Sequence, residues 1–427
     1  MKVSIIGNGY VGLPAGAGLA SKGHNVTCVD IDEEKVREIN NGECPIFEED
    51  LPELLEKMVS DGSLKATTDT FEAVKNSEVT FLAVGTPMEE DGSINLDYIK
   101  KAAEQVGEAL KGKEEYHVVV IKSTVVPTTT EKEIIPILEE ESGKEAGEGL
   151  GVCMNPEFLR EGTALKDFLE PDRIVVGQLD ERSGSKVTKL YNGFEAPVIK
   201  TSLGAAELIK YGSNSMLATK ISFINEIGNL CKTLGLDVYE VADGIGMDSR
   251  IERSFLNAGC GFGGSCFPKD VRALISFMEK KQCEPKLLNS VIDVNTCQKT
   301  KPVEVLEEKI GSLEGKRVAV LGLAFKPGTD DVRNSPAIDM IQELKDKGAK
   351  VKAYDPEAIE NMEKHHPNIK YVGSYQEALR GVDAGIIATE WEEFNKISLE
   401  DTKTMKNPII IEGRKTDAEV EKEGVCW

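Results

Sequence analysis

Histidine is scarce in this chain, with four among 427 residues. The nine cysteines are odd in number and scattered, with no Cys-x-x-Cys pair and no grouping with histidine. Structural and catalytic metal sites draw on clustered ligands of these types, so no metal is expected. Dispersed thiols without a disulfide framework suit a reducing compartment, and the expected location is the cytoplasm. Positive charge is also short: 51 Lys and Arg stand against 74 Asp and Glu, a net charge of −23. That balance excludes nucleic acid and anionic membrane surfaces as main partners. It leaves room for a small anion, which needs only local positive charge. No apolar run reaches the roughly 18 residues that cross a bilayer. The first residues pass directly into a strand pattern, with no signal segment expected. What is present is a globular composition, 40% hydrophobic and 29% charged. A chain of 427 residues exceeds one core, so two or three domains are expected.

The most informative stretch is Gly259-Cys-Gly-Phe-Gly-Gly-Ser-Cys-Phe-Pro-Lys-Asp270. Glycines let backbone approach a ligand and adopt positive φ. After Pro268, a residue suited to a first helical turn, Val271, Leu274, Ile275 and Met278 recur at helical spacing. Cys266 therefore falls at a helix N-terminus close to Lys269, and both influences favour a thiolate. A free cysteine is commonly just a buried apolar residue. The glycines, Lys269 and Asp270 favour a nucleophile in a backbone cradle instead.

The N-terminal pattern is strand Lys2–Ile6, then Gly7-Asn-Gly-Tyr-Val-Gly12, then a small-residue helix. A second strand, Asn25–Val29, ends in Asp30, 18 residues after Gly12. This is the fingerprint of a dinucleotide fold: glycines for the turn and the pyrophosphate, an acid for the ribose 2′-hydroxyl. A carboxylate at Asp30 opposes a 2′-phosphate, so NAD is preferred to NADP. Further strands end at Gly85-Thr86-Pro87 and Lys122-Ser123-Thr124, where open parallel sheets bind ligands. Thr86 and Thr124 are either cofactor contacts or helix caps. Glu157 and Glu161 would share a face if their segment were helical; such a pair is either solvated or holds a general base.

Gly204 to Gly235 reads as one long helix, apolar over a wide face, consistent with a spine and a dimer surface. Lys210 and Asn214 are one turn apart on it. Lys210 either faces solvent or stabilises an oxyanion. From Gly315 the strand–glycine pattern restarts without a full Gly-x-Gly-x-x-Gly, which reads as a second Rossmann-like half for another nucleotide. Lys326, Arg333 and Arg414 near its strand ends suit phosphate. The expected fold is thus α/β, two Rossmann-like parallel-sheet domains joined by a long central helix and a helical dimerisation region. The parts are 1–200 for NAD, 201–300 for the helical region with the cysteine loop, and 301–427 for the second nucleotide.

These motifs, in this order and over essentially the whole length, resemble the UDP-glucose/GDP-mannose dehydrogenase family. The likeness is carried by Gly7–Gly12, Gly85-Thr-Pro87, Lys122-Ser-Thr124, Asn155-Pro-Glu-Phe-Leu-Arg-Glu161, Lys210 with Asn214, Asp248-Ser-Arg-Ile251, Gly261–Asp270 and Ala324-Phe-Lys326. The resemblance implies a four-electron oxidation of a sugar C6 alcohol to a carboxylate by NAD, through a thiohemiacetal and a thioester on Cys266. It implies Glu161 as hydrolytic base, Asp270 and Thr124 as water-positioning groups, and Lys210 and Asn214 as oxyanion partners. It further implies substrate contacts from Glu157, Phe158, Leu159, Phe255, Gly263, Lys326 and Arg414, and from Arg250 of a neighbouring subunit in a homodimer. Cofactor contacts are implied for Gly7, Gly9, Tyr10, Val11, Gly12, Asp30, Lys35, Thr86, Thr124, Glu161, Lys269 and Arg333. One departure is Cys260, where many members carry proline; only Cys266 precedes Pro-Lys-Asp, and it keeps the nucleophile's role. Asp248–Ile251 and Gly261–Gly264 favour UDP-glucose over GDP-mannose. Phe158 stands where relatives acting on UDP-N-acetylhexosamines tend to carry Arg. A single-step hydroxyacid dehydrogenase has no use for Cys266, and a nucleotide sensor without turnover has none for Cys266, Lys210 and Glu161 together.

Overall fold

The computed structural model describes all residues, Met1–Trp427. The chain forms two compact units, Met1–Gly212 and Ser213–Trp427. No helix is long and apolar enough to cross a membrane.

The first unit is built on strands β1 (Lys2–Ile6), β2 (Asn25–Val29), β3 (Leu64–Thr67), β4 (Val79–Leu82), β5 (His117–Ile121), β6 (Leu150–Met154), β7 (Ile174–Gln178) and β8 (Val198–Thr201). Their order in the sheet is β3-β2-β1-β4-β5-β6-β7-β8. β1, β4, β5 and β6 are almost wholly buried. Strands covered on both faces read as continuous apolar runs, which is why they stand out in sequence. The sheet departs from the all-parallel expectation in one place, since β7 runs antiparallel to β6. The order reverses between β1 and β4, and open sheets of this kind bind ligands at that switch point, beyond the strands' carboxyl ends.

The second unit carries β9 (Arg317–Leu321), β10 (Lys350–Tyr354), β11 (Lys370–Tyr371), β12 (Ala384–Ile387), β13 (Ile410–Glu412) and β14 (Lys422–Gly424). The order β11-β10-β9-β12-β13-β14, all parallel, repeats the Rossmann arrangement. Before this sheet come the helices Phe267–Lys280 and Lys286–Ile310. The long helix runs Leu203–Leu234, 32 residues, and the division between the units falls within it.

The two sheets treat their second-strand acids differently. Asp30, after β2, is half-buried and accepts the Asn8 and Asp32 N–H groups at 2.9 and 3.2 Å. Asp355, after β10, is 1% exposed. It accepts from the backbone of Leu323 (2.6 Å), Ala324 (3.0 Å), Glu357 (2.9 Å) and Ala358 (2.9 Å), and from Trp391 Nε1 (3.0 Å). A carboxylate offers about four acceptor sites, so Asp355 is saturated by the protein itself.

Candidate active site

After β1 the chain turns at Gly7, with φ +96°. A Cβ there would stand 2.9 Å from the Ala83 carbonyl oxygen, and one at Gly12 would stand 1.8 Å from that of Gly7. Only glycine lets this turn close. A Cβ on Gly9 would meet nothing, so open space lies in front of it. Gly9, Tyr10 and Val11 are half-buried, and the helix Gly12–Ser21 starts immediately behind them. Asn8 is fully buried, and neither polar atom of its side-chain amide has a partner in the protein. Buried amides are ordinarily satisfied. An orphaned amide, open glycine backbone and a helix N-terminus together fit a dinucleotide pyrophosphate, and Asp30 keeps acceptor capacity for a ribose. Lys35 lies half-buried in the first turn of the helix Glu33–Asn40.

Neither Thr86 nor Thr124 caps a helix. The next helices start at Asp97 and Thr130, and Thr86 Oγ1 donates to the Thr124 carbonyl at 2.9 Å. The bond ties the segment after β4 to the segment after β5 at the sheet's carboxyl edge.

The segment after β6 corrects the idea of a shared helical face for Glu157 and Glu161. Residues 155–160 form neither helix nor strand, and Glu161 opens a turn, half-buried, with Gly162 at φ +85°. Glu157 is not a free base. Its Oε1 pairs with Lys210 Nζ at 2.7 Å, and its Oε2 accepts the Leu159 N–H at 2.6 Å. Both side chains of the pair are almost fully buried, at 7% and 3% exposure. Burial alone would raise the Glu157 carboxyl, but Lys210, with Lys122 behind it, brings it below its ordinary value. Lys210 is therefore an inward cation rather than a surface lysine. Phe158 and Leu159 are half-buried beside it. The Phe158 ring has Arg173 stacked at 3.9 Å and Lys210 Nζ at 5.6 Å. The turn at Glu161 is braced by Glu48, which accepts the Gly162 N–H at 2.9 Å and that of Ala164.

In the second unit, Cys266 is the N-cap of the helix Phe267–Lys280, with Pro268 in the first turn. Its carbonyl accepts the Asp270 N–H at 2.8 Å, and its Sγ lies 3.6 Å from Ser265 Oγ. The thiol is partly exposed. The unbonded N–H groups and positive end of the helix dipole favour negative charge at this sulfur. Asp270, 1% exposed, receives Asn214 Nδ2 at 2.6 Å and Lys269 Nζ at 2.6 Å. The loop before the cysteine is clamped along its backbone. Gly259 N–H reaches Asn225 Oδ1 (2.8 Å), Gln298 Nε2 reaches the Gly259 carbonyl (2.8 Å), and Asn295 binds Phe262 N–H (2.6 Å) and carbonyl (3.0 Å). Gly264 N–H donates to the Arg333 carbonyl at 2.8 Å. A Cβ on Gly263 would lie 2.4 Å from the Asn334 carbonyl, and one on Gly264, at φ +84°, 2.8 Å from the Phe325 ring. These contacts explain the run of glycines.

Arg414 donates one guanidinium arm to the Gly261 carbonyl and lies 3.7 Å from Glu390. Lys326 Nζ lies 5.8 Å from the Phe325 ring. Phe255, at φ +64°, packs its ring 6.1 Å from that of Phe267. Arg250 is exposed and paired with Asp248 at 2.6 Å, and Arg333 is exposed and paired with Asp331 at 2.7 Å. Cys260 is fully buried with its Sγ on the Ala388 carbonyl at 3.5 Å, and burial pushes its thiol up. That is the environment of an inert thiol. Sequence reasoning missed Glu48, the bond of Glu157 to Lys210 and that of Asp270 to Asn214, because each joins residues far apart in the chain, and it missed the unpartnered Asn8 amide because burial is not written locally.

A dinucleotide cradle at a Rossmann switch point, with a second Rossmann sheet and a helix-capping cysteine, defines a dinucleotide-dependent dehydrogenase. The chain belongs to the UDP-glucose/GDP-mannose dehydrogenase family: residues 1–195 match its NAD binding domain, 204–297 its central domain and 319–417 its UDP binding domain. NAD is the cofactor, and the substrate class is a nucleotide sugar. The chain is 48% identical over 420 residues to the UDP-glucose 6-dehydrogenase AglM of Haloferax volcanii, covering 97% of each chain. It is 46% identical over 415 residues to the UDP-glucose 6-dehydrogenase TuaD of Bacillus subtilis, covering 97% of this chain and 89% of that one. The structure of a UDP-glucose dehydrogenase from the hyperthermophilic archaeon Pyrobaculum islandicum matches with a TM-score of 0.94 and 41% identity, over 100% of this chain and 97% of that one.

Proposed function

We propose that the chain oxidises UDP-glucose at C6 to UDP-glucuronate through a covalent intermediate on Cys266. The observation that carries this reading is the placement of Cys266 as a helix N-cap, with Asp270 one turn on, buried and bonded to Asn214. The names of the two curated relatives and the solved structure support UDP-glucose.

NAD, when bound, supplies the acceptor for two successive hydrides. Gly7, Gly9, Tyr10, Val11, Gly12 and Asp30 would hold it, with Lys35, Thr86, Thr124, Glu161, Lys269 and Arg333 as further contacts. Once the C6 alcohol has become an aldehyde, the Cys266 sulfur adds to the carbonyl carbon. The C=O π pair moves to oxygen, which takes a proton, giving a thiohemiacetal. Lys210 and Asn214 stabilise the oxyanion of that addition. Loss of the second hydride and the hydroxyl proton leaves a thioester. Water, placed by Asp270 and Thr124, then attacks while Glu161 takes its proton. The C–S bond breaks, releasing the carboxylate and returning the thiolate. Splitting one hard oxidation into two is the use of a covalent nucleophile. Glu157, Phe158, Leu159, Phe255, Gly263, Lys326 and Arg414 hold the nucleotide sugar.

Two copies pair through the long helix, which leaves Met216, Phe223 and Leu230 exposed at seven-residue intervals, at 59%, 50% and 55%. In that homodimer Arg250 reaches the partner's sugar. The test is Cys266→Ser with a panel of UDP-glucose, GDP-mannose and UDP-N-acetylhexosamines. The wild type is expected to form two NADH per UDP-glucose. The variant is expected to form none while binding UDP-glucose within about twofold of wild type. Full turnover by the variant, or one NADH per sugar in the wild type, would sink the scheme.

A further inference from the structure

Lys122 has no part in the chemistry above, yet it is among the most deeply buried cations in the first unit, at 4% exposure. It follows β5 directly. Its Nζ donates to the Asn155 carbonyl at 3.3 Å and to Asn155 Oδ1 at 3.1 Å. The Asn155 amide is engaged elsewhere as well, taking the Tyr191 hydroxyl at 2.5 Å and giving Nδ2 to the Val175 carbonyl at 2.8 Å. Lys122 thus pins the end of β6, two residues before Glu157. The charges that act on it are Glu157 and Lys210. Two buried ammonium groups therefore act on one carboxylate, Lys210 by direct pairing at 2.7 Å and Lys122 at longer range. The remaining cation of the neighbourhood, Arg173, stacks on the Phe158 ring.

A buried one-to-one pair is neutral, whereas this cluster carries an extra positive charge, which costs free energy to bury. We propose that Lys122 is a positioning residue of the oxidation: acting through Asn155 and Glu157, it fixes where Lys210 stands and how readily Lys210 releases its proton. Burial, with Lys210 reinforcing it and Glu157 opposing it, draws Lys122 down to about 8. Over the alkaline range Lys122 therefore loses its charge and stops repelling Lys210. The inference rests on Lys210 acting as a cation in the proposed reaction.

The experiment compares wild type, Lys122→Met and Lys122→Arg as full chains, measuring kcat and KM for UDP-glucose and NAD from pH 6 to 10. Methionine removes a charge that the wild type itself sheds over the alkaline range, so the alkaline limb of the kcat profile stays at the wild-type position. Arginine stays charged throughout, so the limb moves down. Both variants lose about tenfold or more in kcat with little change in KM for NAD. A wild-type limb in Lys122→Arg, or wild-type kcat in Lys122→Met, overturns the proposal. Should Lys122→Met fail to fold, the downward shift in Lys122→Arg decides alone. Failure of the wild type to oxidise any nucleotide sugar would overturn the parent reading instead, which the parallel wild-type assay separates.

Discussion

Asp30 and Cys266 owe their positions to short-range features. Asp30 sits at the end of β2, and Cys266 directly precedes Phe-Pro-Lys-Asp in a helix start. Both were legible because strand ends and helix starts are written in neighbouring residues. The bonds of Asp30 to Asn8 and Asp32 leave part of its carboxylate for a ribose hydroxyl. Asp30→Ala is expected to weaken NAD binding about ten- to hundredfold, as loss of a hydrogen bond to a charged group does. It should also narrow the preference over NADP, since a 2′-phosphate would no longer meet a carboxylate. Calorimetric titration with both cofactors checks this, and unchanged NAD affinity would remove the assignment. By contrast, the pairing of Glu157 with Lys210 joins residues 53 positions apart. Sequence offered both residues but not their bond, and the shared face considered for Glu157 and Glu161 held only if 155–161 were helical, which it is not.

Among the elements, the long helix was readable nearly to its ends, because a wide apolar face without proline admits one interpretation. Its internal anchor was not readable. Glu207 is fully buried and accepts the Thr128 N–H at 2.5 Å, the Thr130 N–H at 2.8 Å and the Thr130 hydroxyl at 2.6 Å. It thereby holds the segment after Thr124, where Thr128 sits at φ +73°. Burial lifts its carboxyl from an ordinary 4.5 to about 7, although these three hydrogen bonds work the other way. A group raised in the folded state contributes stability that is complete below its unfolded value and is lost as pH climbs through the folded one. Its contribution therefore declines from about pH 4.5 to about pH 7. Glu207→Gln cannot ionise, so its melting temperature should fall less than that of the wild type between pH 5 and pH 8. Melting curves at matched pH test this, and parallel pH dependence in the two proteins would contradict it. The variant should be less stable at every pH, because an amide cannot accept all three bonds.

For the molecule as a whole, the doubled Rossmann pattern was apparent from strand–glycine repeats, and both sheets adopt the expected central order. The antiparallel β7 was not, because a short apolar strand does not show its direction. Assembly is the property on which the sequence spoke least, since an apolar helical face can cover a core or a second copy. Exposure of Met216, Phe223 and Leu230 favours the second copy. Phe223→Glu combined with Leu230→Glu should therefore yield a monomer by light scattering, with unchanged circular dichroism and with oxidation lost. A dimer that survives both charges would place the contact elsewhere.

The saturation of Asp355 has a kinetic corollary. With five internal donors on Asp355, the second sheet has closed the position that Asp30 leaves partly open in the first. A chain able to seat one redox carrier at a time must, on the proposed chemistry, discharge the spent carrier and recruit a fresh one midway through each turnover. The half-oxidised sugar would be a freely diffusing aldehyde during that exchange unless something tethered it. A sulfur that bonds the aldehyde carbon is such a tether, so on the proposed chemistry the need for a nucleophile follows in part from a tryptophan and four backbone amides beside the second sheet.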